Sequence, residues 1–226
     1  MSYFRLADFD GQRLGLLGGT FDPVHCGHLA VAEHVRTTLA LEKVCLVPAA
    51  LPPHKGADAL TPFHHRFRML ELALADHPDL LLSDIEAQRS GPSYSVDTLT
   101  ELRRQLGNTI RFFFILGFDA FLEITTWKAY HRLIGLADIV VLNRSHSSWQ
   151  SAEAIVRGLG SFVYDQYFEA WVCPGVSGRI HFVSMEPVEI SSTEIRGHGE
   201  ELEHVAGRVP AVVFDYIRAN WLYTRQ

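Results

Sequence analysis

The chain has 226 residues, of which 47% are hydrophobic, and it carries a formal net charge of -6 at neutral pH. This length and apolar content suffice for an α/β domain with a buried core. The negative charge gives no overall basic field for nucleic acid, so any phosphate binding has to be local. No long apolar span or signal-peptide pattern is present, and the three cysteines are not closely paired, which favours a cytoplasmic protein with no membrane partner.

Short apolar runs alternate with amphipathic segments along the chain, a pattern typical of a parallel sheet covered by helices. The predicted strands are residues 13–17, 43–47, 80–83, 110–116, 138–142 and 180–183. The predicted helices are approximately residues 25–39, 62–75, 95–106, 119–125, 148–157, 192–198 and 211–221. We expect one domain over residues 1–226, in which residues 1–12 are an N-terminal extension and residues 190–226 form a helical C-terminal part.

The first predicted strand leads into the segment Gly-Gly-Thr-Phe-Asp-Pro-Val-His-Cys-Gly-His, residues 18–28. Gly18 and Gly19 allow the main chain to approach a ligand closely. The N–H groups that begin the following helix favour an anion, and Pro23 is expected in the first turn of that helix, where proline is tolerated. The segment therefore predicts a phosphate-binding turn between a strand and a helix.

Two histidines follow this turn. His25 and His28 are three residues apart, so on a helix they share one face, and Gly27 between them keeps the approach open. A lone histidine is more often a capping or surface residue, but a pair behind a glycine turn favours a functional site. A zinc site is the alternative. The pair encloses no glutamate and no third ligand is evident nearby, and both points argue against zinc. Cys26 is a conceivable nucleophile, although cysteine is more often a small buried residue.

Several later residues allow a structural and a functional interpretation. His54 and Lys55 lie in a predicted loop, whose composition alone is that of a solvated segment. Residues 191–194 have the form of a capping box, and with Arg196 on the same helix they are also suited to hold phosphates. Asp119 begins a predicted helix, where an aspartate is frequently a cap.

Other segments are predicted to be structural rather than functional. The phenylalanines at residues 112–114 are expected in a core strand. Thr61 is expected to cap the next helix, with Pro62 in its first turn. We predict that the solvated face of that helix carries four residues: His64, His65, Arg66 and Arg68.

Residues 18–28 resemble the signature of the nucleotidyltransferase superfamily that carries two histidines around a glycine. Within it, the chain is most similar to bacterial nicotinate mononucleotide adenylyltransferases, on the basis of further segments in the same order. These segments are Val47-Pro48 with Pro52-Pro53-His54-Lys55, then residues 91–99, 117–119, 126–128, 190–196 and 209–210 with 216–217 and 222–223. Phe118 stands where that family usually has a smaller residue, and residues 145–179 match it poorly.

The resemblance implies a Rossmann-like parallel sheet flanked by helices and the transfer of AMP from ATP to nicotinate mononucleotide in NAD biosynthesis. It implies catalysis by His25 and His28. It implies phosphate contacts from Gly18, Gly19, Thr20, Phe21, Gly27, Lys55, Ser191, Ser192, Thr193 and Arg196. Mononucleotide contacts are implied for His54, Ser95, Gly117, Asp119, Trp127 and Lys128, with the Trp127 ring stacked on the pyridine. Mg²⁺ is expected to be held by the ATP phosphates and water rather than by a protein carboxylate cluster.

Two alternatives stay open at the level of the sequence. The first is the same chemistry on nicotinamide mononucleotide or phosphopantetheine, because an acid and an amide have nearly the same shape. The second is a nucleotide-binding module without catalysis, against which the intact His25, His28 and Arg196 argue. The sequence also leaves open a monomer or a small homo-oligomer.

Overall fold

The computed structural model describes Leu6 and residues 9–53, 60–143, 149–186, 188–197 and 205–224. These residues form an eight-stranded sheet in the order β3-β2-β1-β4-β5-β8-β7-β6. The strands are β1 Arg13–Gly19, β2 Lys43–Pro48, β3 Leu80–Leu82, β4 Arg111–Gly117, β5 Asp138–Asn143, β6 Val163–Asp165, β7 Ala170–Val172 and β8 Ile180–Ser184. Strands β1 to β5 and β8 run parallel, whereas β7 runs antiparallel to both β6 and β8.

Helices cover both faces of this sheet. They are α1 Cys26–Thr38, α2 Phe63–Ala73, α3 Ser95–Leu106, α4 Phe118–Leu122, α5 Tyr130–Leu136, α6 Trp149–Leu159, α7 Ser192–Gly197 and α8 Ala211–Ala219, with a 3-10 turn at Ile124–Thr126. Helices α3 to α6 contribute to the core on one face, and α1, α2, α7 and α8 to the core on the other. The predicted Rossmann-like α/β class is confirmed. No helix in the described ranges is both long and apolar enough to cross a membrane.

Strand β1 lies inside the sheet, and its side chains alternate between the two cores, as successive residues of a strand do. Leu16 packs in one core and Leu17 in the other, and Leu17 is in register with Leu46 of β2 and Ile115 of β4. Because these parallel strands end at the same edge of the sheet, the segments that follow them lie side by side. We call this the carboxyl edge.

The three phenylalanines of β4 follow the same alternation. Phe112 and Phe114 lie in one core and Phe113 in the other, and all three are buried. The predicted core strand is therefore confirmed.

Some local predictions were wrong. Strands β6 and β7 and helix α5 were not predicted, because each strand has only three residues and α5 follows Ala129, whose φ of 48° breaks the helical path. Pro23 lies before α1 rather than in its first turn, since His25 is the N-cap residue. Thr61 does not cap α2, because Pro62 occupies that position and no side chain caps the helix there.

The opposite edge of the sheet, where the parallel strands begin, carries an ion cluster around a buried carboxylate. We call it the amino edge. The Nε and Nη2 groups of Arg111 each donate to Asp138 at 3.0 Å, and His181 Nε2 lies 2.9 Å from the same carboxylate. Burial alone would raise the pKa of Asp138, but hydrogen bonds from His181 and Arg111 outweigh burial and hold it below its ordinary value. The cluster joins β4, β5 and β8.

Candidate active site

A groove runs along the carboxyl edge and consists of three adjoining cavities. The histidine cavity, of about 300 Å³, is lined by residues that include His25, Gly27, His28, Ser191 and Ser192. The central cavity, of about 320 Å³, is lined by residues that include Gly18, Gly19, Thr20, Glu86 and Thr98. The tryptophan cavity, of about 170 Å³, is lined by residues that include Tyr94, Trp127, Lys128 and Leu133.

These cavities share walls, so an elongated ligand can extend through all three. Leu17 and Gly117 line both the histidine and the central cavity. Ser93, Ser95 and Trp127 line both the central and the tryptophan cavity. A ligand with a phosphate at one end and an aromatic ring at the other matches this arrangement.

The two histidines stand in contact at the beginning of α1. Their rings are stacked with centroids 3.7 Å apart, and the Phe21 ring meets the His28 ring edge-on at 4.8 Å. His28 Nδ1 accepts a hydrogen bond from the backbone N–H of His25 at 3.2 Å. Because Nδ1 is an acceptor, neutral His28 carries its proton on Nε2 and is a hydrogen-bond donor there.

The glycine between the histidines leaves room for the ring of the first of them. A Cβ atom on Gly27 would lie 3.0 Å from His25 Nδ1 and 3.1 Å from its Cε1. Gly19 has a similar role, since a Cβ atom there would lie 3.0 Å from the ring of Phe21. These glycines make room for the neighbouring rings of the motif, in addition to the predicted approach of a ligand.

Arg66 was predicted to lie on a solvated helix face, and this prediction was wrong. Its side chain is 1% exposed, and burial lowers the pKa of its guanidinium. Nη1 donates to the carbonyls of Thr20 and Ala49, each at 2.8 Å, and Nε donates to the carbonyl of Thr61 at 2.8 Å. Nη2 lies 3.5 Å from the carbonyl of Ala50. Arg66 thus joins the first part of residues 18–28, which we call the glycine motif, to both ends of the segment that connects β2 with α2.

The sequence did contain a signal for this burial. The buried residues of α2 are Arg66, Met69, Leu70 and Ala73, which recur with the spacing of one helical face. Arg68 is two positions away and therefore faces another direction, where it pairs with Glu71 at 2.9 Å. The helical period, rather than residue type, separates the two arginines.

Asp22 is a second buried charge and belongs to the motif itself, with 1% exposure. One carboxylate oxygen accepts from the Tyr223 hydroxyl at 2.8 Å and the other from the Thr61 N–H at 3.1 Å. Burial, followed by the negative charge of Asp22, raises the pKa of Tyr223 above its ordinary range. The backbone carbonyl of Asp22 accepts from Arg196 Nη1 at 2.7 Å, so the C-terminal part of the chain is attached to the motif.

Helix α7 begins beside this turn. Ser191 Oγ accepts from the N–H of Glu194 at 3.1 Å, which confirms the predicted cap. The Glu194 carboxylate pairs with Arg208 at 2.5 Å. Ser192 Oγ donates to the carbonyl of Pro23 at 2.9 Å. The exposed Thr193 Oγ1 lies 3.4 Å from Arg196 Nη2, so the predicted phosphate residues of α7 and those of the glycine motif lie together.

The predicted mononucleotide residues converge in part. Trp127 is half-buried, with its ring edge-on to Phe114 at 6.4 Å, and Ser95, the first residue of α3, lines the same cavity. Lys128 donates to Asp97 at 2.8 Å, and its ammonium lies 4.6 Å from the centre of the Tyr94 ring.

Of the other predicted residues, Asp119 stands apart from this group. Asp119 is exposed in the first turn of α4 and is not among the described residues that line the three cavities. His54 and Lys55 lie outside the described residues. Gly117, by contrast, lines the groove at the junction of two cavities.

Metal ligands are not grouped in the part of the chain that the structure describes. Within it, no three His, Cys, Asp or Glu side chains come together in a way that could hold a metal ion. Among the described residues, the groove is lined mainly by imidazoles, hydroxyls and main-chain groups, and its carboxylates, Glu86 and Glu186, line different cavities. The imidazoles, hydroxyls and main-chain N–H groups suit a ligand phosphate.

Residues 16–198 match the family model described as cytidylyltransferase-like. The chain belongs to the cytidylyltransferase-like family. A relative from Geotalea daltonii, described as "Probable nicotinate-nucleotide adenylyltransferase", is 38% identical over 216 residues, which cover 94% of this chain and 98% of the relative. A relative of the same description from Pseudomonas fluorescens is 36% identical over 213 residues, with 94% and 98% coverage. The predicted membership in the nucleotidyltransferases and in their nicotinate branch is confirmed.

Solved structures extend the likeness of this cytidylyltransferase-like protein to the fold. A Plasmodium falciparum nicotinic acid mononucleotide adenylyltransferase complexed with NaAD aligns with a TM-score of 0.73 and 21% identity, over 94% of this chain and 98% of that chain. The complex with APC aligns with a TM-score of 0.71 and 20% identity over the same shares. At this identity the alignment establishes a common fold.

Proposed function

We propose that this chain transfers AMP from ATP to nicotinate mononucleotide, which yields nicotinate adenine dinucleotide and pyrophosphate in NAD biosynthesis. One observation supports this most directly: the groove joins the stacked histidines at one end to Trp127 at the other. The curated relatives at 36–38% identity carry the name of this activity.

The reaction is an in-line displacement at the α-phosphorus of ATP. The phosphate of the mononucleotide is already an anionic nucleophile at neutral pH, so the site needs no strong general base. Catalysis then consists of aligning the two substrates and stabilising the negative charge that develops toward the leaving pyrophosphate.

In this proposal the residues of the histidine cavity hold the phosphates of ATP. His28 donates from Nε2, and His25 is held against it by ring stacking at 3.7 Å. The backbone N–H groups of Thr20 and Phe21, which follow Gly18 and Gly19 at the end of β1, add donors at the same edge. Further phosphate contacts are assigned to Gly27, Lys55, Ser191, Ser192 and Thr193.

Arg196 has a restricted role in this scheme. Two of its nitrogens are already engaged, by the carbonyl of Asp22 and by Thr193 Oγ1. A guanidinium has five N–H donors in a fixed plane, so Arg196 contributes its charge and its remaining donors from a position fixed by the motif backbone.

At the other end of the groove, the Trp127 ring stacks on the pyridine of the mononucleotide. The backbone N–H groups at Ser95 and Lys128 receive the carboxylate of nicotinate. Gly117 gives the phosphate linkage room to pass between cavities, and His54 and Asp119 complete the proposed mononucleotide contacts. Placing donors rather than acceptors opposite the substrate carboxylate favours the acid over the amide.

Transfer of a nucleotide from ATP commonly needs a divalent metal, and we propose Mg²⁺. Bound to the phosphates of ATP, it would neutralise part of their charge. The protein would hold that complex through its phosphate contacts, since the described residues include no cluster of side chains that could hold the ion by themselves.

We also propose a single domain over residues 1–226. Ile195 of α7 and Val213 and Ile217 of α8 pack in the same core as α1 and α2, which supports the assignment of residues 190–226 to that domain. All three cysteines are free thiols, which supports a location in the cytoplasm. We expect a monomer or a small homo-oligomer that acts without nucleic acid.

The test is to incubate the purified chain with Mg²⁺, ATP and nicotinate mononucleotide, and in parallel with nicotinamide mononucleotide or phosphopantetheine. We expect nicotinate adenine dinucleotide and pyrophosphate, with a higher kcat/KM for the acid than for the amide, as identified by mass spectrometry. A higher kcat/KM for another acceptor would assign the alternative substrate. No pyrophosphate from ATP with any acceptor would indicate a binding module.

A further inference from the structure

A buried carboxylate borders the central cavity, and neither the sequence motifs nor the proposed mechanism uses it. Glu86 follows β3, is 7% exposed and lines the central cavity together with the glycine motif and Trp127. Carboxylates are rarely so deeply buried unless paired or hydrogen-bonded. Glu86 therefore calls for a physical account.

Only one of its two oxygens has a partner among the described residues. Oε1 accepts from the Thr98 hydroxyl at 2.5 Å, and Arg89 Nη2, which donates to the same hydroxyl at 2.7 Å, lies 3.9 Å from Oε1. Oε2 is buried and has no hydrogen-bond partner within the described part of the chain. An unsatisfied buried acceptor is costly, which makes Oε2 a candidate for a donor that a ligand brings.

The position of Glu86 along the groove indicates which part of a ligand would supply that donor. On one side of the central cavity lies the glycine motif, and on the other lies Trp127. If the phosphate and the pyridine of the mononucleotide occupy these ends, as in the proposed function on which this inference rests, the ribose occupies the middle. Ribose hydroxyls are the hydrogen-bond donors of that middle part.

We infer that Glu86 is a specificity-determining residue whose carboxylate accepts a hydrogen bond from a ribose hydroxyl of the mononucleotide. The last torsion of a glutamate side chain is soft and nearly two-fold, so a small rotation turns Oε2 toward the cavity while Thr98 keeps the other oxygen. Arg89 stays on the side of Oε1, where its Nη2 lies 3.9 Å from that oxygen. The site thereby selects a ribonucleotide over a deoxyribonucleotide.

The experiment compares nicotinate mononucleotide with its 2′-deoxy and 3′-deoxy forms in the wild type and in two variants. The measured quantity is the ratio of kcat/KM for the ribose form to kcat/KM for each deoxy form. For the wild type we expect a ratio of about ten or more with one deoxy form, as for a hydrogen bond to a charged group. Glu86→Met should bring that ratio close to one, and Glu86→Gln, which keeps a neutral acceptor, should give an intermediate ratio.

Each ratio is measured within one variant, so a lower fraction of folded protein does not change it. Asp84→Asn is the matched control, since Asp84 is an exposed carboxylate on the same segment, bonded to Gln88, and it should keep the wild-type ratio. A wild type that uses the deoxy forms equally well, or a Glu86→Met variant that keeps the full ratio, would overturn the inference. A wild type that forms no dinucleotide would instead overturn the proposed function.

Discussion

The two edges of the sheet bury charge in different ways. At the amino edge, Arg111 and His181 both bond to the carboxylate of Asp138, so the charge of Asp138 is balanced inside the cluster. At the carboxyl edge, Arg66 donates to main-chain carbonyls of three separate segments. The cluster around Asp138 joins strands, whereas Arg66 holds the loops that follow the strands. Stability should therefore depend on both edges and activity on the carboxyl edge alone.

The largest effect is expected at Arg66, where stability and activity should fall together. In Arg66→Met, three part-buried carbonyls lose their donor, which should lower the free energy of unfolding by about 3 kcal/mol. Displacement of the Thr20 and Ala49 backbones should also lower kcat/KM about a hundredfold. Denaturant unfolding and steady-state kinetics below the unfolding transition measure the two effects.

Arg68→Met is the control for Arg66, because Arg68 lies on the same helix with a side chain that is 46% exposed. It should change neither quantity appreciably. If Arg66→Met is destabilised while its folded fraction keeps the wild-type kcat/KM, Arg66 supports the fold alone and the contrast between the edges disappears.

At the amino edge, Asp138→Asn should lower the free energy of unfolding by about 3 kcal/mol, because it leaves Arg111 without its buried counter-charge. It should leave kcat/KM unchanged. Asp79→Asn is the control, since Asp79 is 42% exposed and its pairs with Arg36 and Lys43 are longer, at 3.6 and 3.5 Å.

The same cluster predicts a pH dependence of stability. The pKa of Asp138 is lowered in the folded state, so its contribution is present above the unfolded value of about 4 and is lost as pH falls through the folded pKa. The stability difference between wild type and Asp138→Asn should therefore shrink below about pH 4. A difference that stays constant down to acid unfolding would contradict the ion cluster.

At His28 we expect an effect on activity alone, which is smaller than the combined loss of stability and activity at Arg66. His28→Ala should raise the barrier by about 3 kcal/mol with little change in unfolding free energy. His28→Gln can place an N–H near the position of Nε2, whereas His28→Asn cannot reach it, so Gln should retain more activity than Asn. His34→Ala on the same helix is the control. Near-normal pyrophosphate release by His28→Ala would refute the role of the pair.

The smallest effect is expected at Gly27. In Gly27→Ala the new Cβ would lie 3.0 Å from His25 Nδ1, so the ring has to move by a few tenths of an ångström. We expect a loss of about tenfold in kcat, while stability is kept or rises by about 0.5–1 kcal/mol, because alanine favours the helix. Gly135→Ala in α5, where a Cβ meets nothing within 4 Å, should leave kcat unchanged.

Much of the fold follows from periodicity. Six of the eight strands and most helices were predicted to within a few residues, because buried parallel strands are continuous apolar runs and amphipathic helices repeat every three to four residues. The hairpin of β6 and β7 escaped prediction because segments of three residues carry too little pattern. The motif at residues 18–28 predicted the position of the groove because it follows a central strand.

The sequence by itself determined the α/β class, the family and the strand-turn-helix motif, because these depend on local spacing and residue type. Only the tertiary structure decided which groups Arg66, Asp22 and Glu86 bond to, because those partners lie on other segments of the chain. A charged side chain shows its type in the sequence, but whether it is solvated or buried depends on what the fold brings around it. The environment of the side chain comes from packing between distant segments, which composition does not encode.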